Sequence, residues 1–177
     1  LQQLENSDVD MHTNSPRSIA GQTWLLDNNC DTIPYATRYS YDGKDLVRNP
    51  CLTNPKFLQD HLTQLETLGK DLAPYGPRAY TLGDECFLAR SGVDVCFSPT
   101  CTADFREWLK GEYPNVQALN ASWGTSYKSI DEAEPITFED AKKLNQPARW
   151  VDHRRHMEFV YARMMQRAED AIRKGDP

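Results

Sequence analysis

The sequence has no apolar run approaching the ~18 residues that a membrane-spanning helix requires, which excludes an integral helical membrane protein. It has no surplus of positive charge either, since 20 Lys+Arg stand against 26 Asp+Glu for a formal net charge of −6. Neutralising a phosphate backbone takes clustered Lys and Arg, so no nucleic-acid partner is expected. The chain opens Leu1-Gln2-Gln3, without an initiator Met or the basic-then-apolar pattern of a signal peptide, and reads as a mature product or an excised segment. Internal repeats and low-complexity tracts are missing. An even cysteine set is missing too: Cys30, Cys51, Cys86, Cys96 and Cys101 are five in 177 residues, unlike the disulfide framework of a small secreted domain. Cys86, Cys96 and Cys101 fall close together, with Pro99 between the last two. A partial metal site and unrelated free thiols both suit that spacing.

What remains is an ordinary globular composition, 39% hydrophobic and 26% charged, sufficient for one domain or part of a larger one. Residues 1–55 are polar and punctuated by Pro16, Pro34, Pro50 and Pro55. A short strand closing at Val9-Asp10-Met11-His12 and an extended segment at Arg38-Tyr39-Ser40-Tyr41, ending in the Asp42-Gly43 turn, are expected there. Trp24-Leu25-Leu26 reads as a small apolar cluster before a loop.

The first clear helix begins at Asn54-Pro55, an N-cap followed by a first-turn proline. Phe57, Leu58, Leu62, Leu65, Leu68 and Leu72 then recur at spacings of three and four, and Pro74 and Gly76 end the run. Arg78 to Gly83 is a short strand candidate delivering Asp84-Glu85. A second helix is expected over 103–113, with Phe105, Trp108 and Leu109 on one side, and Leu119 and Trp123 anchor the segment that follows. The acidic stretch 130–145 reads as loop with a short helix near 138–144. A long helix over about 150–174 buries Met157, Val160, Tyr161, Met164, Ala168 and Ile172, and Gly175 stops it. Helix and strand in alternation point to a parallel sheet, and the whole reads as an interior slice of a repeating α/β fold.

Two adjacent acids at the C-terminal end of a parallel strand stand where α/β barrels place catalytic groups. An acid among apolar and aromatic neighbours there acquires the raised pKa that a general acid needs. The plain alternative is an exposed acidic pair in a loop.

From here the order of motifs resembles the catalytic barrel of glycoside hydrolase family 42, the bacterial β-galactosidases. Trp24-Leu25, the Asp42-Gly43 turn and Cys51-Leu52-Thr53-Asn54-Pro55 resemble that family's Trp-Leu, Asp-Gly and Cys-Pro-x-Ser-Pro. Gly83-Asp84-Glu85 falls at its Asn-Glu, at the end of strand four. Cys96-Phe97-Ser98-Pro99-Thr100-Cys101, followed by Ala103-Asp104-Phe105-Arg106-Glu107-Trp108-Leu109, resembles its Cys-x-Cys-x-x-Cys and Ala-x-Phe-Arg-x-Trp-Leu. Leu119-Asn120-Ala121-Ser122-Trp123-Gly124-Thr125 is similar to its Leu-Asn-x-x-Trp-Gly-Thr. Asn145-Gln146-Pro147 through Asp152-His153-Arg154-Arg155 resembles the start of its fourth helix. The likeness runs from about Trp24 to Arg167.

The resemblance implies a segment of a (β/α)8 TIM barrel, roughly from the end of strand two through helix four, with 1–177 as one partial glycosidase domain. It implies a retaining glycosidase acting on β-galactosides or related β-linked sugars, with Glu85 as general acid/base. Such a residue first protonates the departing oxygen and then deprotonates a water. Asp84 stands where the family has Asn and is expected beside the sugar, accepting from a hydroxyl where an amide would donate. Arg48 is the candidate arginine of the cleft, one position after the family's, which falls on Val47. Cys51, Cys96 and Cys101 fall on three of the four ligands of a structural zinc site, with Ser98 on the fourth. Zinc held by three thiolates with water or Cys86 completing the set is one reading, and a site without metal is the other. The family's nucleophilic Glu lies on strand seven, beyond this sequence, so the segment alone is expected to be inactive. A cytoplasmic parent enzyme, a carbohydrate as its binding partner and a homo-oligomer of the full-length parent are further implications.

Two other function classes fit the residues: a noncatalytic carbohydrate-binding or assembly relative of the same barrel, favoured by Asp84 and Ser98, and a small zinc-binding module over 86–110. His153 and His156, flanking Arg154 and Arg155, read as a solvated helix start rather than a metal pair. Asn120-Ala121-Ser122 is a formal glycosylation sequon read as a packing segment. Trp108, Trp123 and Trp150 read as core anchors rather than sugar platforms.

Overall fold

The computed structural model describes residues 11–39, 43, 45–83, 86 and 95–177. The chain divides into two compact units, one of Leu1–Tyr39, Gln59–Cys86 and Met165–Pro177, the other of Ser40–Leu58 and Phe87–Met164.

The first unit begins with strand β1 (Met11–Ser15), helix α1 (Ile19–Asp27) and strand β2 (Asp31–Pro34). Ser18 caps α1 by accepting from the Gly21 N–H. Strands β1 and β2 pair in parallel, with Met11 opposite Asp31 and Thr13 opposite Ile33. Parallel neighbours need a crossover, and α1 supplies it. The next repeat follows the same logic. Helix α2 (Pro55–Leu72) leads into a short 3-10 turn over Ala73–Tyr75, and Gly76 takes the left-handed conformation at φ 57. The chain then returns so that Thr81 bridges Tyr35 in parallel, its N–H on the Pro34 carbonyl at 2.9 Å. The parallel sheet expected from the helix–strand alternation is present.

Gly69 of α2 is buried because backbone lies against it: a Cβ there would meet the Ile172 carbonyl oxygen at 2.6 Å. That carbonyl belongs to helix α6 (Pro147–Gly175), whose final turns bury Ala168, Ala171 and Ile172 in this unit.

The second unit is helical among its described residues: α3 (Pro99–Glu112), α4 (Val116–Trp123), α5 (Phe138–Lys143) and the N-terminal part of α6. Ser98, Asn115 and Thr137 cap the first three through their side-chain oxygens. The core joins Phe105, Leu109, Leu119, Trp123 and Ala133, each at most 1% exposed. Phe105 stacks between Trp108 and Trp123 at centroid distances of 6.2 and 6.0 Å. Beneath them the buried Asp152 accepts from the Trp123 indole N–H at 2.8 Å and from the Tyr113 hydroxyl at 2.5 Å.

The structure differs from the sequence reading in several respects, among them the strand expected over 78–83, where only Thr81 forms a bridge pair, with Tyr35. Trp24, Leu25 and Leu26 lie in the last turns of a helix that runs into the expected loop, and β2 begins four residues after that helix ends. Helix α3 starts four residues earlier than expected, at a Ser-Pro cap. Leu119 and Trp123 lie on a helix of their own. His153 and His156 are not a solvated helix start: they are 1% and 0% exposed. His156 donates through Nε2 to Asp104 at 2.8 Å, and both rings pack against Phe105. No helix among the described residues is long and apolar enough to cross a membrane.

Candidate functional site

Asp84 and Glu85, the expected acid pair, lie outside the described residues, and Gly83 and Cys86 flank them in sequence. Gly83 closes the returning segment with φ 127, a conformation open to glycine and strained for other residues. A Cβ at this position would meet the Thr37 carbonyl oxygen at 2.6 Å and the Arg38 Cα at 3.2 Å. Its N–H donates to the Thr81 hydroxyl at 3.3 Å. On the far side of the pair, the Cys86 thiol accepts from the Tyr39 N–H at 3.3 Å and donates to the Leu82 carbonyl at 3.5 Å. Gly83 and Cys86, the sequence neighbours of that dipeptide, therefore both lie against the segment that continues β2, at the C-terminal end of a parallel pairing.

Behind that segment sits a second polar group. Tyr39 is 2% exposed, and its hydroxyl meets His61 Nε2 of α2 at 2.8 Å, with the Thr37 hydroxyl at 3.3 Å from the same nitrogen. Burial pushes the Tyr39 phenol up to about 12 and holds the His61 imidazole below its usual range, so both stay neutral near pH 7. Neither residue was singled out in the sequence; the Tyr39–His61 pairing bridges a separation of 22 residues that no local pattern reveals.

The thiols form the other assembly, in the second unit. Cys51, Cys96, Cys101 and Met157 pack as one buried cluster. The Cys96 and Cys51 sulfurs are 3.9 Å apart, and the Cys101 thiol points at the Met157 thioether at 3.6 Å. Around Cys51 the remaining directions are filled by hydroxyls: Ser98 at 3.0 Å, Thr53 at 3.1 Å and Thr100 at 3.5 Å. Hydrogen bonding among the three thiols holds Cys51 far below the ordinary range and Cys101 above it.

Four donors of the N or S type close a structural zinc site. Here the Ser98 hydroxyl, at the expected fourth position, accepts from the Cys101 N–H at 3.1 Å and caps α3. Cys86 is committed to Tyr39 and Leu82. Among the described residues no group of three His, Cys, Asp or Glu side chains is arranged to hold a metal ion. The three expected thiols are brought together, yet the residues present do not fit a closed zinc set.

Arg48 is 2% exposed, its N–H on Cys96 Sγ at 3.4 Å and its guanidinium 5.8 Å from the Tyr161 ring centroid. Trp123 is a core anchor at 1% exposure, while Trp150 is half-buried beside Phe138. The Asn120 amide donates to the Tyr127 carbonyl and accepts from the Thr125 hydroxyl, the work of a packing residue.

Compared with known proteins, the chain matches the family model Glyco_hydro_42, described as beta-galactosidase, over residues 1–177. It is 27% identical over 109 residues to beta-galactosidase BgaA of Thermus sp, covering 60% of this chain and 16% of that protein. Beta-galactosidase bgaB of Geobacillus kaustophilus is 29% identical over 90 residues, which is 48% of this chain and 13% of its own length. Among solved structures, the beta-galactosidase from Bacillus circulans sp. alkalophilus aligns with a TM-score of 0.70 at 17% identity, over 99% of this chain and 32% of that one. The beta-galactosidase of Halorubrum lacusprofundi aligns with a TM-score of 0.71 at 18% identity, over 89% and 27%. The chain thus has the fold of about a third of such an enzyme and spans a smaller share of its curated relatives.

Proposed function

Given that the chain belongs to the Glyco_hydro_42 beta-galactosidase family, we propose that it carries the general acid/base, Glu85, of a retaining glycosidase acting on β-galactosides or related β-linked sugars. The observation that supports this most is the anchoring on either side of the acid pair. Gly83 and Cys86 are both held against Thr37, Arg38 and Tyr39 at the C-terminal end of a parallel pairing. In α/β barrels that end of the sheet carries the chemistry.

In this reading Glu85 first donates its proton to the glycosidic oxygen, and the leaving alcohol departs as the sugar is captured by a second carboxylate. It then withdraws a proton from the water that releases the sugar. One residue performs both steps, so its pKa must lie near the working pH. Asp84 sits next to it in sequence, and an ionised carboxylate held close to another raises its pKa by like-charge repulsion. Successive strand side chains point to opposite faces, so in regular geometry one of the two aims into the barrel mouth. The longer Glu is the donor; Asp84 accepts from a sugar hydroxyl. Arg48 is the proposed arginine of the sugar-binding segment. No step is routed through zinc.

The test uses the full-length protein containing this chain and a pair of aryl and alkyl β-galactosides. Glu85→Gln should depress hydrolysis of the poor alkyl leaving group far more than that of the activated aryl one, because only the former needs protonation. Added azide should rescue the activated substrate as a glycosyl azide. Equal losses on both substrates, or a larger loss in Asp84→Asn, would show that the donor is misassigned. A wild-type protein that binds galactosides without turnover would identify a noncatalytic relative, the reading that Asp84 and Ser98 favour.

A further inference from the structure

We propose that the thiol cluster of this chain is a metal-free hydrogen-bonded clasp, in which the Thr53, Ser98 and Thr100 hydroxyls do the cross-linking that a zinc ion would do among four thiolates.

A structural zinc site draws its strength from thiolates and imidazoles, and a neutral hydroxyl is a poor ligand. Ser98 presents a hydroxyl, and that oxygen already accepts from the Cys101 N–H at 3.1 Å. Turning it toward a cation would uncap α3. Cys86 is engaged elsewhere, and among the described residues no group of three His, Cys, Asp or Glu is arranged around a metal position.

The network also closes without a cation. Cys51 meets Ser98, Thr53 and Thr100 hydroxyls at 3.0, 3.1 and 3.5 Å. Those hydroxyls also bond to one another, Thr53 to Thr100 at 3.1 Å and Ser98 to Thr100 at 3.3 Å. Cys96 donates to Cys51 and receives the Arg48 N–H; Cys101 donates to the Met157 thioether. Buried polar groups that all find partners need no further compensation, and a fully satisfied network fixes one arrangement. The clasp ties together the segment before α2, the start of α3 and the Met157 turn of α6, all within the second unit.

The clasp rests on this geometry and not on the glycosidase reading, so an inactive protein leaves it untouched. The experiment takes the full-length protein, displaces any thiol-bound metal with a mercurial, and reads zinc release with a chromogenic chelator. Wild type should release only a trace, and its unfolding midpoint should be unmoved by a zinc chelator. Ser98→Cys, supplying the fourth thiol, should raise the content to about one zinc per chain and make the midpoint chelator-sensitive. Thr53→Val and Thr100→Val should each lower the wild-type midpoint by several degrees. About one zinc per wild-type chain, or a midpoint that drops on chelation, overturns the proposal without recourse to any variant. Failure of Ser98→Cys to gain zinc removes Ser98 as the deciding residue, and unmoved midpoints in both threonine variants remove the clasp.

Discussion

Single residues set the geometry of the segments that flank the acid pair in sequence, and Gly83 and His61 are two that can be tested. Gly83 combines φ 127 with a backbone carbonyl 2.6 Å from where a Cβ would stand. Gly83→Ala therefore incurs a strained backbone costing roughly 1–3 kcal/mol, in addition to displacing Thr37 or Arg38. The expected outcome is a lowered unfolding midpoint together with a kcat loss larger than the change in KM, read by thermal denaturation and steady-state kinetics. A variant with normal kcat would detach the glycine from the chemistry. His61 yields a pH dependence. Its imidazole is held below the usual 6.5 by burial against Tyr39 and Thr37, so the unfolded chain takes up a proton before the folded one does. Its contribution to stability is thus fully present above pH 6.5 and is lost as the pH falls through the depressed folded value. Denaturant titrations from pH 7.5 downward should show a decline that His61→Gln flattens. An equal decline in the variant would assign it to other groups.

At the scale of elements, most of the motifs that identify the family turn out to be packing devices. Trp123 and Asp152 come from two of the matched segments, and they meet in one buried hydrogen bond of 2.8 Å that locks α4 to α6. Removing the carboxylate strands the indole N–H and leaves the Tyr113 hydroxyl with Ser122 alone, so Asp152→Ala should destabilise by about 3 kcal/mol or more. Asp152→Asn, which keeps an acceptor, should cost clearly less; matching losses measured by urea denaturation would contradict this account. The same elements explain what the sequence reveals. Helices α2 and α6 are legible because their apolar residues recur at helical spacing, and α5 lies within the expected 138–144. Helix α1 is not, for its buried residues are only Gln22 and Leu25 and no stripe forms. Strand β2 holds an Asp, a Thr and a Pro in four residues, and its strand character comes from its parallel partner. The burial of His153 and His156 was illegible since Asp104, which pairs with His156, lies 52 residues away. The convergence of Cys51, Cys96 and Cys101 followed from the family pattern, whereas the hydroxyl shell supplied by Thr53 and Thr100 had no sequence signature.

For the whole molecule, the decisive quantity is how little of an enzyme this chain spans: 16% of the Thermus sp relative and 32% of the Bacillus circulans structure. Retaining hydrolysis requires two carboxylates about 5–5.5 Å apart on either side of the scissile bond. The family resemblance puts the second on strand seven, and α/β barrels gather such residues from the ends of several strands. Among the described residues the parallel sheet is also open at both sides, leaving edge N–H and C=O groups that further strands would pair. Both considerations lead to one expectation: the isolated 177-residue chain, even where it folds, does not hydrolyse an aryl β-galactoside. The comparison is made at equal molar concentration with the full-length protein, with circular dichroism establishing that the segment is helical. Activity confined to the full-length protein and reduced there by Glu85→Gln would assign the chain its half of the catalytic pair. Robust turnover by the segment alone would mean that both carboxylates lie within these residues, and would send the search for the nucleophile back to this chain's own acids.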